Sequence, residues 1–281
     1  MKRIGCIVAT FALLLAGCEK PTQVQLADET DLEVEAIAES DSVASAPVDT
    51  LALLPREQVN YPGLISIASV RFDNGVTTET VVGAKVALED RTRWFFDRLG
   101  RKRFYGYFLG TVSVNGIPLL RRVRAVGNDS AGFEYVGLVP YTPRLGYRFI
   151  GTGSVGGVRA FDESVTAPDD LVVQSPVGGT QVRRGNPLDL RWTPQGNPLT
   201  VIVSAVRTVQ GERRVIPVLS ITPKKNSGRA VLPRRILDAL PRGTYVLTFA
   251  VANKDERRIQ GYSGRVLVLA SSICNVQINL L

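Results

Sequence analysis

The residues able to do chemistry are few and mostly of one kind. The chain has no histidine. That removes Ser-His-Asp and Cys-His catalysis, the common zinc sites and the usual proton shuttle near neutral pH. Of the three cysteines, Cys6 and Cys18 lie near the N-terminus, so the body holds only Cys274, in "SSICNVQINLL". One thiol closes no internal disulfide, and nothing basic stands near it to activate it, so it reads as a small buried apolar residue. Carboxylates remain. Glu89 and Asp90 are adjacent, so a strand points them to opposite faces and separates them as an acid/base pair. Asp162, Glu163, Asp169 and Asp170 gather near the middle of the chain and offer hard oxygen ligands of the kind Ca²⁺ takes. They lack the Asp-x-Asp-x-Asp-Gly spacing of a calcium loop, so no metal and no cofactor is expected.

Two further stretches invite a functional reading. "GTGSVG" (151–156) matches G-x-G-x-x-G, but a dinucleotide site needs a helix after the glycines. Here "GVRAFDESV" follows and alternates as a strand does, so the glycines are assigned to a turn or bulge. "WFFDRLGRKRFYGYF" (94–108) carries seven of the chain's 20 aromatic residues together with Arg98, Arg101, Lys102 and Arg103. The plain expectation is a hairpin whose aromatics fill a core while its charged tip is solvated. The functional alternative is a surface of Trp94, Arg98, Arg101, Lys102 and Arg103 that binds an anionic lipid headgroup, glycan or envelope partner.

The N-terminus supplies an address. Lys2 and Arg3 precede an uncharged run, Ile4 to Gly17, which is shorter than the roughly 20 apolar residues of a membrane span and fits a secretory h-region. The run ends Leu15-Ala16-Gly17-Cys18. This box resembles the lipobox of bacterial lipoproteins. The resemblance implies a signal peptide over 1–17 that is cleaved off, and a diacylated Cys18 as the anchor, since two acyl chains hold a protein stably where one is marginal. Glu19 stands where an aspartate favours inner-membrane retention in the best-known diderm systems, which resembles the outer-membrane-sorted class. The expected location is the bacterial cell envelope. Nucleic acid is not an expected partner of an exported protein, despite a net charge of +8.

Residues 18–61 read as a tether. Positions 19–50 hold nine acidic residues and one lysine, net −8, with no aromatic residue. Low hydrophobicity with high charge predicts disorder, although Leu32, Ala36 and Glu39 sit at helical spacing, and "TLALLP" (50–55) is apolar enough to pack on the body. Residues 51–281 are net +14.

The elements behind these motifs are strands. Many Val, Ile and Thr runs are broken by 26 glycines and 16 prolines, the composition of an all-β chain with tight turns. Residues 62–167 are expected to form one β-sandwich or barrel-like domain. Within it Phe104, Gly106, Phe108, Gly110, Val112 and Val114 alternate along one strand, Asn115-Gly116 predicts a type I′ turn, and Pro118 predicts an edge. Residues 168–281 form a second domain, with Trp192 on an early strand, a short helical crossing, and two long strands. "LDLRWTP" and "LPRGTYVLTFAVAN" resemble the fibronectin type III and immunoglobulin-like sandwiches, which implies that Tyr245 forms a tyrosine corner. The resemblance covers about 110 residues and departs in lacking a disulfide.

Together these features predict two β-sandwich domains behind a signal peptide and an acidic tether, used for non-enzymatic binding or scaffolding. The competing classes are a carboxylate-based glycan hydrolase and an accessory subunit of an export or assembly complex recognised through a sheet edge.

Overall fold

The computed structural model describes residues 32–37, 61–96, 102–126, 129–194, 198–209 and 212–281. The expected signal peptide over 1–17, Cys18, Arg98, Arg101 and "TLALLP" lie outside the described residues.

The chain is all-β, as its composition requires. The N-terminal half contributes β1 (Leu32–Ala36), β2 (Gly63–Asp73), β3 (Thr78–Phe96), β4 (Lys102–Gly106), β5 (Val112–Val114), β6 (Ile117–Pro118), β7 (Leu120–Val126), β8 (Asp129–Gly137), β9 (Gly146–Gly151) and β10 (Phe161–Thr166). The C-terminal half contributes β11 (Val172–Ser175), β12 (Thr180–Val182), β13 (Leu188–Thr193), β14 (Leu199–Val209), β15 (Glu212–Pro223), β16 (Arg229–Leu232), a one-turn helix α1 (Arg234–Ala239), β17 (Gly243–Arg257) and β18 (Val266–Leu280).

One large sheet spans both halves in the order β1-β15-β14-β17-β18-β2-β3-β4-β8-β7, with β12 also on β18. The seam between the halves is parallel: β18 pairs with β2 from Val266/Gly63 to Val276/Asp73. Two smaller sheets pack on this one. The four-stranded sheet β10-β9-β5-β6 encloses the core of Ile65, Ile67, Val86, Leu88, Val114 and Phe149. The three-stranded sheet β11-β13-β16 encloses the core of Leu190, Trp192, Val201, Phe249 and Ile278, in which the Trp192 and Phe249 rings lie 6.0 Å apart. Both arrangements are sandwich-like.

The cores do not divide the chain where its order does. Ile259, Tyr262, Val266, Val268 and Ala270 belong to the C-terminal half in sequence but complete the N-terminal core. Farther along the same strand, Cys274, Val276, Ile278 and Leu280 complete the other core. β18 is fifteen residues long and its side chains in these cores share its even-numbered face, so its first part serves one core and its last part the other. Cys274 is buried there, and burial pushes its thiol up, away from the reactive thiolate.

Two local expectations are corrected. The stretch 104–114 is not one strand. β4 ends at Gly106, the chain turns at Gly110 with φ +70°, and β5 starts at Val112. Leu109 drops into the core at the turn, and the buried Tyr135 hydroxyl accepts from its amide at 2.9 Å and donates to the Gly110 carbonyl at 3.1 Å. The acidic segment is not helical at Leu32 and Ala36, nor wholly free. Leu32–Ala36 alternates apolar and acidic side chains, a strand period, and completes the edge of β15 with Leu32 in the core.

Other turns are as the sequence predicts. Asn115 (φ 47°) and Gly116 (φ 80°) both take the left-handed conformation a type I′ turn needs, and Pro118 lies in the outermost strand of its sheet. "GTGSVG" leads from β9 into antiparallel β10 with Gly153 and Gly156 at positive φ, a turn without a helix. The Tyr245 hydroxyl donates to the Pro241 carbonyl at 2.7 Å. Tyr147 makes a second such tie that sequence reasoning missed: its hydroxyl accepts from the Thr142 amide at 2.7 Å and donates to the Pro140 carbonyl at 2.8 Å. Its "PYTPRLGY" context resembles the "LPRGTY" of Tyr245 in placing a proline upstream of Gly-Tyr or Gly-Thr-Tyr, which is the signal that was available.

Candidate functional site

β3 is nineteen residues long and only its first part lines a core. Leu88 is the last buried side chain, and Asp90 to Phe96 continue outward, paired with β4. At the root, the Glu89 amide donates to the Pro62 carbonyl at 2.7 Å, and the Tyr262 hydroxyl donates to the Glu89 carbonyl at 3.2 Å. Arg124 meets the Glu89 carboxylate at 3.5 Å. Gly106 and Gly132 cross in close contact, and a Cβ on either would run into the opposing backbone. Glycine is required there by that approach, and at Gly132 also by φ +88°.

Between root and tip the register shifts. Asp90 stands opposite Tyr105, and the next pair is Trp94 with Phe104. The intervening residues form a bulge pinned by Asp90, which accepts from the Thr92 hydroxyl at 2.5 Å and the Thr92 amide at 3.0 Å. The Thr92 hydrogen bond holds the Asp90 carboxyl below its ordinary value. Bulges re-aim the side chains beyond them.

Beyond the bulge both faces of the ribbon are aromatic and basic. On one face Trp94 pairs with Phe104 and Phe96 with Lys102. The Lys102 ammonium sits 4.9 Å from the Trp94 ring centre and 5.5 Å from that of Phe104, and the Arg91 guanidinium lies 5.4 Å from Phe104. Trp94 and Phe96 meet edge-on at 5.3 Å. On the other face Phe95 and Tyr105 meet at 5.3 Å, Arg93 covers Tyr105 at 4.5 Å, and Arg103 stands opposite Phe95. The pattern extends past the root, where Arg121 lies 5.3 Å from both Phe108 and Phe133. Each such contact is worth about 0.5–1 kcal/mol in water.

This geometry corrects the plain expectation for the hairpin. Trp94 is 50% and Phe96 59% exposed, so these aromatics do not fill a core. Of the five residues singled out, Trp94 and Lys102 share one face, Arg103 stands opposite Phe95 on the other, and Arg98 and Arg101 lie outside the described residues. The sequence could not separate the two readings because alternation gives a face, not what covers it.

The four carboxylates suggested for Ca²⁺ are dispersed onto four arginines. Asp162 faces Arg148, with Nε to Oδ1 at 2.7 Å and a second bond from the same guanidinium. Asp169 takes both Arg144 nitrogens at 2.6 and 3.0 Å. Glu163 meets Arg257 at 3.5 Å, and Asp170 meets Arg71 at 3.2 Å. The guanidinium bonds hold the Asp162 and Asp169 carboxyls below their ordinary value, while burial raises that of Glu163. Among the described residues no group of three or more acidic or cysteine side chains is placed to hold a metal ion. Asp170 instead ties the halves together, since the Ser272 hydroxyl donates to it at 3.1 Å and itself accepts from the Leu171 amide at 2.9 Å.

The class these observations define is an all-β protein of packed sheets with an outlying aromatic and basic ribbon. No protein-family model matches the chain, and no curated protein matches it.

Proposed function

We propose that this chain is a lipid-anchored protein of the bacterial cell envelope, held to the outer membrane through Cys18, that binds an anionic partner without catalysing a reaction on it. The C-terminal half is taken as a fibronectin-type or immunoglobulin-like sandwich serving as scaffold. The observation that carries the binding role is the exposure of Trp94 and Phe96 on a ribbon where Arg91, Arg93, Lys102 and Arg103 lie among the rings. Large aromatics at the surface beside cations are what a binding site for an anionic glycan, lipid headgroup or acidic protein face uses. The anchor rests on the sequence box at 15–18.

Two measurements test the proposal. Mass spectrometry of the mature N-terminus is expected to find a diacylated Cys18; an unmodified Cys18 or cleavage elsewhere refutes the anchor. Crosslinking in envelope preparations is expected to lose its specific partner when Trp94, Phe96 and Lys102 are replaced together by alanine. Unchanged crosslinks would return the ribbon to a structural role.

A further inference from the structure

The large sheet has two ends, and they carry opposite charge. Among the described residues it begins with β1 and finishes with β7. β1 is Leu-Glu-Val-Glu-Ala, with two acids and no base. β7 is Leu-Arg-Arg-Val-Arg-Ala-Val, with three bases and no acid.

The charges also share a face. Leu32 is buried in a core and Val34 packs against it, so Glu33 and Glu35 point to the far side of the sheet and are exposed. Their ladder neighbours on β15, Thr222 and Ser220, are uncharged. At the other end Arg121 pairs with the core residue Tyr135, so Arg122 points to the far side, where it approaches Glu134 at 3.9 Å with 68% of its side chain exposed. Arg124 reaches Glu89, which follows the core-facing Leu88 and therefore lies on that side too. Glu33 and Glu35 are thus two residues apart on one edge; on the other, Arg122 and Arg124 flank a register shift between Val123 and Ala125, and Arg124 is held to the same face by Glu89.

We propose that β1 of one copy adds to β7 of a second copy, extending the sheet between molecules with Glu33 and Glu35 against Arg122 and Arg124. Charged edge strands normally prevent pairing between copies. That protection holds here for like edges: β1 on β1 sets glutamate against glutamate, and β7 on β7 sets arginine against arginine. It fails for unlike edges. β7 also leaves Leu120 71% and Val123 52% exposed, which the five-residue β1 laid alongside would partly cover. The contact joins different surfaces, so it propagates as a chain or closes as a ring instead of stopping at a two-fold dimer. It shares only Arg124, which also holds Glu89 at the root of the ribbon, and does not rest on the proposed function.

The test is self-association of the full chain in detergent solution, followed by sedimentation velocity. The unmodified protein is expected to grow in mass with concentration at low salt and to dissociate in high salt, where the Debye length falls to about 3 Å at 1 M. Glu33→Arg/Glu35→Arg alters only exposed side chains on the face away from the core, and is expected to weaken association at least tenfold. Arg122→Glu, at a largely exposed position, is expected to do the same. A mixture of the two variants restores one junction, acidic β1 on basic β7, and is expected to give dimers that neither forms alone. A chain that stays monomeric at every concentration, association unaffected by either reversal or by salt, or a mixture that gives no dimers would each overturn the proposal.

Discussion

Replacing Phe149 by alanine tests whether the shared strand makes the two halves one cooperative unit. Phe149 is fully buried on β9 in the N-terminal core. Its loss leaves a cavity there and touches nothing in the other core, so a cost of about 3–5 kcal/mol is expected. Each kilocalorie per mole lowers Tm by about 2–4 °C in a body of 150–250 residues, so the shift is on the order of 10 °C. The reporter sits in the opposite half. Trp192 is buried in the C-terminal core, its indole N–H donating to Asn226 at 2.7 Å. With the exposed Trp94 replaced by phenylalanine, Trp192 is the only tryptophan and reports that core alone. β18 lines both cores and pairs along its first eleven residues with β2, while Asp170, Arg71 and Ser272 tie the same seam. The Trp192 transition is therefore expected to fall by the full amount and to coincide with the loss of circular dichroism. A Trp192 midpoint that stays at its original temperature while a separate, earlier transition appears in circular dichroism would refute the coupling.

Three further outcomes are expected. Tyr147→Phe removes two partly buried hydrogen bonds and Tyr245→Phe one; at about 1 kcal/mol each, calorimetry is expected to show roughly twice the loss of Tm for Tyr147→Phe, and equal losses would contradict this account. Gly132→Ala meets the Gly106 backbone at a positive φ, so it is expected to loosen the ribbon root and raise amide exchange in β4 while β17 stays protected; unchanged exchange in β4 would show the crossing to be dispensable. Stability is expected to be level between about pH 6 and 8, because there is no histidine to titrate, and to fall in acid. Arginine bonds depress Asp162, Asp169 and Asp189 in the folded state, so their contribution is present above the unfolded value near 3.9 and is lost as pH drops through the lower folded values. Glu163, raised by burial, acts in the opposite sense, so Glu163→Gln should relieve a cost at neutral pH; a Tm step centred near pH 6.5 would count against this scheme.

Strands and turns were legible because their signals are local. Asn115-Gly116 requires positive φ at both residues, Pro118 cannot sit inside a sheet, and the Tyr245 motif lies within five residues of its acceptor. What was illegible depended on partners distant in sequence. β2 lies beside β18 across some two hundred residues, and no pattern in "LISIASVRF" or "VLVLASSICNVQINL" says that the two run parallel or that the second strand divides between cores. The same holds for the carboxylates: Asp162, Glu163, Asp169 and Asp170 are neighbours in sequence, but alternation along β10 and the arginines arriving from Arg71, Arg144, Arg148 and Arg257 send them apart. Leu32–Ala36 misled because five residues can satisfy a helical and an extended period at once, and the open edge of β15 selected the strand.

The ribbon's root bears on how it binds. A two-stranded hairpin alone is marginal in water, and aromatics on a floppy hairpin would lose much of their affinity to ordering on contact. Here the root is fixed from four directions: Pro62 and Tyr262 hold Glu89, Arg124 holds its carboxylate, the Tyr107 amide bonds to the Leu88 carbonyl at 2.8 Å, and Gly106 crosses Gly132. The Tyr107 ring then abuts Tyr262 edge-on at 5.7 Å, so the last residue of the ribbon is anchored in the core that β18 completes. Past the bulge at Asp90, the cations over the rings order the aromatics before any partner arrives. The outward reach of β3 and the cross-sheet tie through Tyr262 therefore belong to one design: the strand that joins the cores also stiffens the base from which Trp94 and Phe96 are presented.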